Sequence, residues 1–229
     1  MITIVLIEPE TSGNIGSMAR VMANFGFEQL VLIDPLCKID EESRRFAKNS
    51  QEILKKAKVA DISILKKFDY IVGTTSKLGR DYNIPRVPIT PSQLGAKLGE
   101  LKDAKIALVL GREGNGLYNH EIDLCDFIVT IPTSASYDSM NISHALAILL
   151  YEIRKPEYEE KLSKKYAPVG AKDMDQIMKL LEESMEGMEF AKESKKETQR
   201  LVWRRMISKS FLTRREAFAL MGFFKKIKK

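Results

Sequence analysis

Cysteine and histidine are scarce in this chain: Cys37, Cys125, His120 and His144 are the only ones in 229 residues. Two thiols are too few for a disulfide scaffold, and none of the four sits at the spacing of a metal-ligand set, so neither a disulfide nor a zinc site is expected. Long apolar runs are missing as well. No stretch approaches the roughly 20 residues that cross a bilayer, and the opening Met1-Ile2-Thr3-Ile4-Val5 lacks the basic segment and cleavage site of a signal peptide. A cytoplasmic protein without membrane contact is expected. Internal repeats are absent, and low complexity is confined to Lys225-Lys226-Ile227-Lys228-Lys229. With 44% hydrophobic and 30% charged residues, the chain is not of disordered composition and can bury a core in one medium domain and a smaller one.

What is present is unevenly distributed. Residues 1–155 carry 19 basic and 19 acidic side chains, whereas residues 156–229 carry 18 and 12, so the net charge of +6 lies wholly in the tail. Between residues 198 and 229 there are ten Lys or Arg and one acid, Glu216, a density suited to phosphate backbones, though also to a solvated helical face.

The first 155 residues alternate β-rich runs with helical patterns, the mark of an α/β unit with a largely parallel sheet. Strands are predicted at Ile2–Ile7, Leu30–Ile33, Tyr70–Gly73, Ile106–Leu110 and Phe127–Ile131, and helices at Asn14–Phe25, Glu42–Lys58, Pro91–Leu101 and Asn141–Arg154. The last helix bears an apolar stripe of Ile142, Ala145, Leu146, Leu149 and Ile153, read equally well as core or as a subunit interface. Residues 156–172, with Pro156, Pro168 and Gly170, read as a linker, and residues 173–229 as a small helical domain. There Met174, Ile177, Met178, Leu181, Met185 and Met188 trace one face of a helix. A second helix holds Leu201, Val202, Met206 and Ile207, and Thr213-Arg214-Arg215-Glu216 reads as a capping box opening a third.

Three segments carry chemistry. Glu8 to Arg20 follows the first strand with a glycine-containing turn, whose backbone N–H groups and helix dipole suit an anionic ligand. Asn14 and Arg20 are six residues apart and cannot share a helix face, so Asn14 is expected in the loop and Arg20 on the helix. Leu108 to Leu117 runs a buried strand into a turn with Gly111, Gly114 and Gly116, where backbone must approach a ligand or take positive φ. Ile131 to His144 is a loop of small polar residues entering the apolar helix, and His144 reads as a packed helix residue. Taken singly, each could be capping and turn chemistry.

Together, Asn-x-Gly-x-x-x-Arg at 14–20, Leu-Gly-x-Glu-x-x-Gly-Leu at 110–117, and Ile-Pro followed by Ser-Met-Asn at 139–141 resemble the three motifs of the SpoU branch of the SPOUT RNA methyltransferases. With its helical tail, the chain is most similar to the TrmJ-type tRNA 2′-O-ribose methyltransferases. The resemblance implies a parallel sheet with a deep trefoil knot over about residues 108–154, and a homodimer. It also implies S-adenosylmethionine held by Thr74, Thr75, Ser76, Gly111, Gly116, Ile131, Pro132, Asp138, Ser139 and Met140, the last standing where leucine is usual. Asn14, Arg20, Glu113, Ser139 and Asn141 match the polar positions around the reacting ribose, with no metal required. The implied target is the ribose of nucleotide 32, cytidine or uridine, in the tRNA anticodon loop, with another tRNA site or rRNA as the alternative. Arg200, Arg204, Arg205, Arg214 and Arg215 are the candidate tRNA contacts. A noncatalytic RNA-binding protein would explain the tail but not three ligand-shaped loops. A Rossmann-type enzyme would need a glycine fingerprint that is not there.

Overall fold

The computed structural model describes residues 1–76, 88–101, 103–134 and 136–227. They divide into two compact units, Met1–Glu157 and Tyr158–Lys229.

In the first unit, β1 (Ile2–Ile7), β2 (Leu30–Ile33), β3 (Lys58–Ala60), β4 (Tyr70–Thr74), β5 (Ile106–Leu110) and β6 (Phe127–Val129) form one sheet in the order β3-β2-β1-β5-β4-β6. Every pairing is parallel. The strands read as continuous apolar runs because both faces are covered. Ile4, Leu6, Leu30, Leu32, Ile106, Leu108 and Leu110 join one core cluster. Their neighbours Val5, Ile7, Val31, Ile33, Ala107 and Val109 point the other way into a second.

The helices of this unit are α1 (Ser12–Asn24), α2 (Glu41–Ala47), α3 (Gln51–Lys56), α4 (Pro91–Glu100), α5 (Asn119–Ile122) and the greater part of α6 (Ile142–Lys165), whose residues from Tyr158 on belong to the second unit. Three expectations change. The single helix expected at Glu42–Lys58 is broken, because Lys48 takes φ +52 and a 3-10 turn at Lys48–Ser50 separates α2 from α3. Lys58 then belongs to β3, a short edge strand not foreseen. Helix α6 does not stop before Pro156 but continues to Lys165, so the segment 156–172 is helical over its first half. Pro156 forfeits one backbone hydrogen bond, and the Glu160–Lys164 pair at 2.6 Å supports the turn beyond it. The apolar stripe of α6 serves the chain's own core: Leu146, Leu149 and Leu150 are buried, and truncating one to alanine should cost about 2–5 kcal/mol.

The second unit contains α7 (Ala171–Glu186), α8 (Glu193–Lys209) and α9 (Arg214–Ile227), the three helices expected. Ile177, Leu181 and Met185 of α7 pack with Ile207, Met221 and Phe224, while Met174 and Met178 sit half-buried at the edge and Met188 is exposed. The capping box is present: Thr213 N–H and hydroxyl both meet Glu216 Oε2 at 2.7 Å, and Glu216 N–H donates back to Thr213 Oγ1. Among the described residues, no helix is long and apolar enough to cross a membrane.

Candidate active site

The sheet topology fixes where the site lies. Chain order runs outward from β1 through β2 to β3 on one side and through β5, β4 and β6 on the other, so direction reverses between β1 and β5. In an open parallel sheet, ligands bind at the carboxyl ends of the strands at such a reversal. The three motif segments and Thr74-Thr75-Ser76 all leave carboxyl ends of β1, β5, β6 and β4, and the fold therefore gathers four loops that are distant in sequence.

The loop after β5 closes on itself. Arg112 N–H donates to Gly116 O (3.2 Å) and Gly116 N–H to Arg112 O (3.0 Å). Gly116 takes φ +65, and a Cβ on Gly111 would overlap the Gly116 carbonyl and Leu117 N. Both positions require glycine. The motif-one glycine, Gly16, has a different reason: a side chain there would strike the Ser43 backbone of α2, so it serves helix packing.

Glu113, at the tip of this loop, reaches back to motif one. Its Oε2 accepts from Glu10 N–H (2.9 Å), and its Oε1 from Thr11 N–H (3.1 Å) and Asn14 Nδ2 (3.0 Å). The turn expected to face an anionic ligand thus already holds an anion, the carboxylate of Glu113. Asn14 Oδ1 accepts from Asn141 Nδ2 (3.1 Å), and Asn141 Oδ1 accepts from Ser143 N–H (2.9 Å) and Ser143 Oγ (2.7 Å). Both amide orientations follow from the ends of this relay, a carboxylate that only accepts and a backbone N–H that only donates. Each amide keeps one further N–H beyond these bonds.

Two adjoining cavities share Glu113, Thr133, Ser139, Met140 and Ile142. The larger-walled one, of about 610 Å³, is lined by Thr74, Thr75, Ser76, Gly111, Gly116, Ile131, Asp138, Ser139 and Met140, with apolar wall from Leu110, Val129, Ala145 and Leu149. Of the residues expected to hold the cofactor, only Pro132 is not at its surface. Its size falls in the range of cofactor sites. Its charged lining is Glu113, Asp138 and Arg112, and the guanidinium is already committed to carboxylates below. Among the described residues this leaves a net acidic wall with backbone donors and acceptors, which fits a ligand carrying a sulfonium and an ammonium rather than phosphates. S-adenosylmethionine has that chemistry.

The second cavity, of about 680 Å³, is lined by Asn14, Glu113, Ser139, Asn141, Tyr137 and His144 among others. His144 is exposed there and not packed in the helix as expected. Arg20 lies elsewhere. Helix α1 begins at Ser12, so Asn14 is helical rather than in the preceding loop. Six residues turn an ideal helix by about 240° beyond full turns, which puts Arg20 about 120° around from Asn14. Arg20 is exposed and lines neither cavity.

This chain's sequence from residue 1 to 151 matches the model of the SpoU rRNA Methylase family. The chain belongs to that family. It is 38% identical over 232 residues to the tRNA (cytidine-2′-O-)-methyltransferase TrmJ of Methanocaldococcus jannaschii, covering 98% of this chain and 99% of that protein. Among solved structures, a probable methylase family protein from Haemophilus influenzae Rd KW20 matches with a TM-score of 0.64 at 28% identity, over 99% of this chain and 95% of that one. The SpoU methyltransferase AviRb from Streptomyces viridochromogenes, in complex with AdoMet, shares the fold over 69% of this chain and 58% of its own (TM-score 0.53, 21% identity). The chain is therefore an RNA methyltransferase of the SpoU type.

One group in this SpoU site was not foreseen. Arg112, buried beneath the β5 loop, donates through Nε to Glu8 Oε2 (2.7 Å) and through its two terminal nitrogens to Glu121 (3.0 and 2.9 Å), and lies 3.9 Å from the centre of the Tyr118 ring. Glu8, at φ +45 just after β1, is held below its usual value of 4.5, chiefly by the hydrogen bond from Arg112, and the guanidinium is correspondingly raised above its own. The trio ties the exit of β1 to the β5 loop and α5. Its only trace in the sequence is an arginine between two glycines at the end of a buried strand. Burial pushes the Cys125 thiol up to about 12, and Cys37 is also raised. Among the described residues, no three His, Cys, Asp or Glu side chains gather as a metal site would need.

In the second unit, Arg204 and Arg205 are exposed on α8, and Arg214 and Arg215 open α9. Arg200 is paired with Glu182 at 2.6 Å, so it is the weakest of the five tRNA-contact candidates.

Proposed function

We propose that this protein transfers a methyl group from S-adenosylmethionine to a ribose 2′-hydroxyl of tRNA, at nucleotide 32 of the anticodon loop. The observation that carries this reading is the relay Glu113–Asn14–Asn141–Ser143, which joins all three motifs: Asn14 and Asn141 line the polar cavity, and Glu113 lines both it and the cofactor-sized one. The tRNA target and its ribose chemistry are those of the archaeal relative, alike along its whole length. S-adenosylmethionine supplies an electrophilic methyl group when bound between Thr74–Ser76, Gly111–Gly116 and Asp138–Met140. Apolar Leu110, Val129 and Leu149 keep water from that side.

The protein's part is positioning and charge stabilisation. The uncommitted N–H groups of Asn14 and Asn141 are oriented by the relay and serve the ribose oxygen as its proton leaves, while Ser139, common to both cavities, sits beside the transfer path. Glu113 is a positioning residue, since its carboxylate is used by three donors. Arg20 acts by gripping the neighbouring phosphate and stabilising the developing alkoxide, the proton leaving through phosphate or water, because a guanidinium is a poor base. From its place on α1 it serves the site of a second copy, which is the support for a homodimer, now that the α6 stripe is occupied within the chain. The trefoil knot over residues 108–154 belongs to the same reading. Calorimetry with S-adenosylmethionine, followed by transfer of its labelled methyl to tRNA, tests the proposal. Binding with label on ribose is expected; no binding would leave an RNA-binding protein without catalysis.

A further inference from the structure

We propose that the second unit carries a groove for an unpaired stretch of RNA, in which Tyr166 and Phe218 stack on bases while Lys165, Arg214 and Arg215 hold the phosphates between them. This deepens the tRNA reading above and rests on it. The groove is a cavity of about 830 Å³ where the irregular segment after α6 meets the first turn of α9. Its floor is fixed by backbone: Val169 N–H donates to Leu212 O (2.9 Å), Pro168 bridges to Thr213, and the Thr213–Glu216 capping box sets the start of the helix.

Both rings are left out of the apolar cluster of this unit, although Phe224 of α9 itself and Trp203 of α8 pack edge to face within it. Tyr166 and Phe218 are each 53% exposed. Each is instead attended by a cation, Lys165 Nζ 5.3 Å from the Tyr166 ring centre and Arg214 Cζ 5.6 Å from that of Phe218. Lys165, Arg214 and Arg215 form no ion pair among the described residues, and Asp173 is the one acid on the groove wall. Lys164, also on the wall, is held by Glu160.

Open flat rings ringed by uncompensated positive charge match a polyanion that also offers flat faces. A duplex presents its phosphates but hides its base faces, whereas a single strand or loop offers both, and base-on-aromatic stacking is sequence-tolerant. An apolar protein surface would leave the cations desolvated and unpaired.

The test is titration of the full chain with a labelled short oligouridylate and with a blunt RNA duplex of equal charge. Tyr166→Ala and Phe218→Ala should each weaken the single strand by about 5- to 100-fold and leave the duplex unchanged. Tyr166→Phe should bind as the parent does, and so should Phe223→Ala, which removes a comparably exposed ring of α9 outside the groove. Replacing Arg215 by glutamine should lower the slope of log affinity against log salt by about 0.7. Photo-crosslinks from 4-thiouridine should map to Tyr166 or Phe218. Equal single-strand affinity in the double alanine variant, or equal loss for strand and duplex, overturns the groove. The parent's methylation of whole tRNA then separates the two readings: if it persists, only the groove is wrong, and a docking role for this surface toward protein takes its place. If the parent neither binds oligouridylate nor methylates tRNA, both readings fall. Should the double variant lose its helical dichroism, Tyr166→Phe and the crosslink map decide.

Discussion

Replacing Arg112 with leucine strands a carboxylate. Arg112 and Glu121 side chains are each only 4% exposed, and removing one partner of a buried pair costs about 3–5 kcal/mol because the other charge is left without compensation. Glu121 retains the Tyr118 N–H at 2.7 Å, and Glu8, 35% exposed, can turn to water, so the lower end, about 3 kcal/mol, is expected. At roughly 2–4 °C per kcal/mol for a unit of this size, the midpoint of the first unit should fall by about 6–12 °C. Scanning calorimetry of the full chain measures it. The decisive comparison is Arg112→Leu with Glu121→Leu in one chain: with no orphaned buried charge, it should be more stable than Arg112→Leu alone. A loss below about 1 kcal/mol for the single variant, or a double variant whose loss is the sum of the two singles, would refute this reasoning.

Glu113→Gln sets an amide NH2 against one of the backbone N–H donors of Glu10 and Thr11. It should lower kcat by at least about tenfold with a smaller change in affinity for S-adenosylmethionine, measured by steady-state kinetics beside calorimetry. Gly111→Ala forces Cβ into the Gly116 carbonyl and should abolish cofactor binding; calorimetric binding as tight as the parent's would contradict the loop geometry. Arg20→Lys retains much activity if charge alone matters, whereas a loss as complete as that of Arg20→Ala indicates bidentate grip on a phosphate. Glu8, Asp40 and Asp61 are held below their ordinary values by hydrogen bonds from Arg112, Ser43 and Ser63. Lowered folded values add stability that is complete above the unfolded values and is lost as pH falls through the folded ones, so the melting midpoint should decline below about pH 4. A midpoint that rises on acidification would show that these contacts do not act as described.

The parallel sheet was legible because strands buried on both faces, such as Ile106–Leu110, are uniformly apolar. Lys58–Ala60 was not, since a three-residue edge strand with Lys58 and Val59 exposed has neither alternation nor an apolar run. The break at Lys48 depends on one left-handed residue in an otherwise helical pattern. In the site, the motif loops were legible because each is local, and the family resemblance implied the cofactor-side residues, nearly all of which line one cavity. The partners of Glu113, and the Glu8 partner of Arg112, were not, because they lie 99 to 104 residues away and come together only through the pairing of β1 with β5. Asn14 was misplaced for a local reason: the helix starts two residues before it, with Thr11 as the N-cap.

Methyl transfer to tRNA is the claim on which the rest depends. Purified protein, S-adenosylmethionine and unmodified tRNA, followed by nuclease digestion and mass spectrometry of the nucleosides, measure it directly. The result expected is a cytidine or uridine whose added methyl stays with the ribose on fragmentation, mapping to nucleotide 32 and lost in Asn14→Ala. A methyl group on a base, or none under conditions where S-adenosylmethionine binds, would contradict it.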